Sequence, residues 1–134
     1  MNRPTLALAL SGILLPVCAA SPAKAQHMNA DDAPCQQAGS NVDTSICFSD
    51  ELQRSDRKLN DLYKQVMGSL GPESKTALRS AQRAWITYRD SACAAEAESY
   101  RGGTAMGMVR TACLEALTRE RIRSLEHGFG WRTE

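Results

Sequence analysis

Gln82, Trp85, Arg89 and Cys93 recur at spacings of three and four residues, so on a helix they share one face within an arc of roughly 80°. An indole, a fixed cation, an amide and a thiol on one stripe do not make an ordinary apolar core face. The pattern fits a helix stapled to a neighbour and carrying a buried or half-buried ion pair.

A thiol staple requires an oxidising compartment, and the start of the chain supplies the route. Residues 1–25 read as a signal peptide: Arg3 gives the positive start, Leu6 to Val17 the short apolar run, and Ala23-Lys24-Ala25 the small residues before a cut at Gln26. The apolar run falls short of the roughly 20 residues of a membrane-spanning helix, and no later segment comes close. The expected product is a periplasmic or secreted chain of about 109 residues. A competing reading anchors the chain as a lipoprotein through Cys18, but Val17 stands where such sites place a small residue.

Without Cys18 the chain keeps Cys35, Cys47, Cys93 and Cys113, an even set that reads as two disulfides. No pair has the close spacing of a zinc site, and His27 and His127 lie near the ends, so neither a metal nor a cofactor is expected. Losing Arg3 and Lys24 with the leader turns the formal net charge of +1 into −1. Nucleic acid, which needs a concentrated positive surface, is therefore not an expected partner. The remaining cations are mostly arginine, which favours forked pairing with carboxylates.

Residues 26–41 lack periodicity and are rich in turn formers, giving an extended lead-in held by Cys35. Residues 42–127 form the helical domain and residues 128–134, with Gly128-Phe129-Gly130-Trp131, an irregular tail. A first helix is expected over about 49–69, with Ser49 as N-cap and Leu52, Leu59, Tyr63, Val66 and Leu70 facing inward. Gly71-Pro72 ends it, glycine in a left-handed terminal position and proline opening the next helix, to about Tyr100. Gly102-Gly103-Thr104 breaks that helix, and a third runs over about 105–126 with Cys113, Leu114, Leu117, Arg121 and Leu125 inside. The fold class is all-α, a three-helix antiparallel bundle or a helical hairpin plus a third helix, stapled by two disulfides.

Short connections make sequence neighbours antiparallel, so Gly71 and Gly103 act as mirror points. Cys93 and Cys113 lie equally far from Gly103, which favours Cys93 with Cys113 and leaves Cys35 with Cys47. Cys47 with Cys93 and Cys35 with Cys113 also meets the mirror test, so sequence leaves both open. The same folding brings Asp56 within reach of Arg89, and an ion pair is expected there with Arg121 sharing the network. Asp90 falls on the outer side. Tyr63, Gln82, Trp85, Leu117 and Leu125 read as structural core. No nucleophile, acid and base stand at a workable spacing, so no catalytic residue is assigned and the protein is read as a non-enzyme.

These residues also carry a resemblance. Leu59-Asn60-x-x-Tyr63, the Gln82 to Cys93 stripe, Gly102-Gly103-Thr104 and Cys113-Leu114-x-x-x-Thr118-x-x-Arg121-x-x-x-Leu125 together resemble the LprI-type lysozyme inhibitor domain, from Cys35 to about Leu125. The resemblance implies a small helical, disulfide-bonded domain of the bacterial envelope or secretome that inhibits lysozyme by protein–protein binding. The matched positions fall inside the fold and identify no inhibitory set. Recognition would fall to the Gly102, Gly103 and Thr104 loop, or to an acidic patch of Asp31, Asp32, Asp43, Asp50 and Glu51 that attracts a basic enzyme. The alternative is a non-catalytic envelope interaction or scaffold module with another exported partner. Sequence leaves the oligomeric state undetermined.

Overall fold

A computed structural model describes residues 27–130. The leader, Cys18 and Trp131 therefore lie outside the described residues. Three helices follow in order: α1 (Asn41–Ser69), α2 (Pro72–Glu98) and α3 (Ala105–Phe129). At 29 residues α1 spans about 43 Å.

The first helix starts eight residues earlier than its apolar periodicity indicates, because Ser40 rather than Ser49 caps it. Ser40 Oγ accepts from the Asp43 amide at 3.1 Å and donates to the Asp43 carboxylate at 2.7 Å, a reciprocal cap built with aspartate. Gly71 is not left-handed, as its φ of −75° shows; it is the N-cap of α2, with Pro72 supplying the fixed first turn. Gly102 takes the left-handed conformation instead, at φ 78°, and reverses the chain between α2 and α3. The expected tail is also corrected, since α3 continues through Gly128 and Phe129.

Both α1 and α2 pack extensively against α3. Rising numbers in α2 meet falling numbers in α3, as in Gln82 with Arg121, Arg89 with Thr118 and Cys93 with Cys113, so the two are antiparallel. In contrast, α1 and α3 run the same way: Ile46 lies beside Met108, Ser55 meets Glu115, and Leu59, Val66 and Leu70 pack with Ile122 and Leu125. The largest helix contact thus joins elements that are not sequence neighbours. That explains why α3 buries residues around most of its circumference, including Val109, Ala112, Glu115, Thr118 and Ile122, which a single inner stripe misses.

The disulfides join Cys35 to Cys47 and Cys93 to Cys113, with Cα separations of 5.9 and 5.4 Å. The first ties the lead-in to α1, and the second pins α2 to α3. The lead-in is a series of turns rather than extended chain, with Gln36 donating to the carbonyls of Ala30 and Asp31. Cys35 itself has φ 73°, a conformation costing a non-glycine residue about 1–2 kcal/mol and held here by its crosslink. Apolar packing forms two clusters. One, near Gly71, gathers Leu59, Val66, Leu70, Leu78, Ile122 and Leu125 against Tyr63 and Trp85, and the other surrounds the Cys93–Cys113 bridge with Leu117.

Candidate functional site

A polar belt separates the two apolar clusters. Arg89 sits between Trp85 and Cys93 on α2, and its guanidinium reaches all three helices. Nη1 lies 3.4 Å from Asp56 Oδ1 on α1 and donates at 3.3 Å to the fully buried Thr118 hydroxyl on α3. Nε donates to Asp90 at 3.0 Å, so Asp90 is part of the pairing rather than a bystander on the outer side. Asp56 itself lies at the helix seam, its side chain 45% exposed against 17% for Arg89.

Arg121 does not join the carboxylates. Its Nε donates to Gln82 Oε1 at 3.0 Å, and no ion pair reaches it among the described residues. Trp85 links the two arginines, with Arg89 Cζ 5.1 Å and Arg121 Cζ 5.8 Å from its ring. Burial holds the Arg121 pKa below the ordinary arginine value. Asp56, Gln82, Trp85, Arg89 and Arg121 are thus one cluster, while Leu117 and Leu125 lie in the apolar clusters on either side.

A second network escaped the sequence reading. Glu115, a buried carboxylate, accepts from Ser55 at 3.2 Å and from Arg119 Nε at 3.1 Å, and Arg119 Nη1 pairs with Asp32 of the lead-in at 2.6 Å. Burial alone would lower the Arg119 pKa, but the bonds to Glu115 and Asp32 outweigh it and raise it. The bond from Arg119, and then its charge, hold Asp32 below the ordinary aspartate value. Glu115 and Arg119 stand four apart with the acid first, a spacing that marks a helical pair. Asp32 lies 87 residues from Arg119, and nothing local announces that contact.

His27 clasps the lead-in to α2, its Nδ1 2.5 Å from Glu96 Oε2. His27, Glu96 and Cys113 bring their ligating atoms within 4.8 Å of one another. Cys113 is disulfide-bonded, however, and offers no thiolate to a metal. The same oxidation leaves none of the four described cysteines as a nucleophile. Among the described residues no buried side-chain polar atom lacks a partner.

The surface at the end remote from Gly71 differs in character. Val42 and Ile46 of α1 are 68% and 56% exposed, and with Thr104 and Met108 they line a groove of about 300 Å³. Thr104 ends the Gly102-Gly103-Thr104 loop and is the one residue of that loop in the groove lining; Gly102 and Gly103 are not part of it. Asp31, Asp32 and Asp43 line an adjoining depression beside the Cys35–Cys47 bridge. Asp50 and Glu51 are not part of its lining. Asp31, Asn41 and Met108 share a further hollow that joins the acidic and apolar parts.

Comparison with known proteins agrees with this architecture. A family model described as "Lysozyme inhibitor LprI" matches residues 32–125, which take in all four described cysteines and the whole belt. An uncharacterized protein of Rhizobium meliloti (strain 1021) is 33% identical over 131 residues, covering 88% of this chain and 92% of its own. No solved structure matches. No helix among the described residues is long and apolar enough to cross a membrane.

Proposed function

Because the chain belongs to the LprI lysozyme inhibitor family, we propose that it is a non-catalytic, exported inhibitor that binds a lysozyme through the bundle end carrying Gly102-Gly103-Thr104. The observation that carries this reading is the pairing of exposed Val42 and Ile46 with Thr104 and Met108 at one groove. Single exposed apolar side chains are ordinary, but adjoining ones gathered at a groove on a rigid helix end make a contiguous patch of the kind a partner covers. The acidic depression of Asp31, Asp32 and Asp43 flanks that groove, giving an apolar centre with a polar rim. Against a basic lysozyme the rim steers encounter while the centre supplies the contact area.

The belt holds this surface in place. Two disulfides, the Glu115 network and the Arg89 cluster fix the lead-in and the three helices, so little ordering is left for binding to impose. The two bridges suit the oxidising periplasm or the medium. Purified protein should slow the clearing of a cell-wall suspension by lysozyme in proportion to its concentration. Val42→Asp with Ile46→Asp should weaken inhibition by about 30-fold or more, with unchanged helical circular dichroism. Unaltered lysis at excess protein would remove the inhibitor reading, and full inhibition by the double variant would remove this surface from it.

A further inference from the structure

Arg121 differs from the other inward arginines. Arg89 has Asp56 and Asp90, and Arg119 has Glu115 and Asp32, but among the described residues Arg121 makes one hydrogen bond, from Nε to an amide oxygen. Its Nη groups bond to nothing among the described residues. Arg121 lines a groove of about 470 Å³ between α2, α3 and the end of α1, together with Phe129 and the buried Leu70, Leu78 and Leu125. Small side chains, Ala77 and Ala81 on α2 and Ser124 on α3, keep the groove open along the helices. Its size is that of a small-molecule site.

We propose that this groove binds an aliphatic carboxylate, a medium-chain fatty acid anion whose methylenes lie along Ala77, Ala81 and Phe129, above the buried leucines, while its head pairs with Arg121. A carboxylate suits the free fork of the guanidinium, which presents paired donors that match its two oxygens. The apolar floor takes a continuous methylene chain, which a lone acidic side chain of a protein partner would leave uncovered. Capture does not require lysozyme, and the groove lies at the end of the bundle opposite Thr104, so this assignment stands or falls apart from the inhibitor reading.

Trp85 reports the event, since its ring is 5.8 Å from Arg121 Cζ. In the oxidised full-length protein carrying Trp131→Phe it is the one tryptophan left of two. Dodecanoate, titrated below its micelle concentration, should change Trp85 emission saturably. Arg121→Gln should weaken that binding about tenfold or more, Ala81→Phe should block it sterically, and dodecyltrimethylammonium should not compete. Absence of saturation, equal affinity in Arg121→Gln, or binding that emerges only when residues 131–134 are deleted would overturn the proposal. The last result would make the chain's own tail the occupant, and competition by an acidic peptide but not by dodecanoate would assign the groove to a protein.

Discussion

Replacing Arg89 by methionine tests the belt, because methionine keeps the apolar stem and removes only the guanidinium. Three losses follow. Thr118, fully buried, loses its donor from Arg89, at roughly 1–3 kcal/mol for an unpaired buried hydroxyl. Trp85 loses one of its two stacked cations, about 0.5–1 kcal/mol. Asp56 and Asp90 are 45% and 49% exposed, so both can turn to water and the full penalty of a broken buried pair does not arise. The sum is about 1.5–4 kcal/mol, or roughly 6–30 °C in melting temperature for a domain of this length. Urea unfolding followed by circular dichroism, with disulfides intact, gives the value. Thr118→Val removes the orphaned hydroxyl, so the cost of Arg89→Met in that background should fall by about 1 kcal/mol. A loss below about 0.5 kcal/mol, or strict additivity of the two changes, would refute the belt as the element joining the helices.

The remaining predictions concern the lead-in and the staples. Asp32 is held below its ordinary pKa in the fold, so its bond to Arg119 contributes fully above the unfolded value of about 3.9 and is lost as pH falls through the folded value. Asp32→Asn should therefore be less stable than the parent near neutrality and equal to it in strong acid; a gap independent of pH, read from urea midpoints, would contradict this. Each bridge closes a short loop, with separations of 12 and 20 residues, and loop entropy assigns each about 3 kcal/mol. Paired serine variants measure those values by urea titration, and thiol titration of the denatured, leaderless protein should find none free.

Much of the fold was legible because helical periodicity and chain punctuation are local. The Gln82, Trp85, Arg89 and Cys93 stripe does face α3, and the mirror position of Cys93 and Cys113 about Gly103 favours the bridge that forms without excluding its rival. The meeting of Asp56 with Arg89 followed from the same folding about Gly71. What the sequence concealed was non-local. The parallel packing of α1 on α3 buries Glu115 and Thr118 on faces outside the periodic stripe, and a wheel drawn for one neighbour cannot show a second. The early start of α1 was hidden because Asn41 to Cys47 carries no inward periodicity; its Val42 and Ile46 point to solvent. That departure from amphipathic order is the strongest trace of the candidate surface in the sequence. Spacing alone puts Arg121 with the carboxylates, but Gln82 on α2 stands level with it and accepts from its Nε.

In the proposed division of labour the polar belt holds the helices and the Thr104 end meets the partner. Amide hydrogen exchange of the protein alone and with excess lysozyme separates these roles in one measurement. Slowed exchange confined to residues 41–46 and 102–108, with the α2 face of Ile86 and Tyr88 unchanged, is the predicted result. Protection centred on Ile86 and Tyr88, or none anywhere in the presence of bound enzyme, would contradict it.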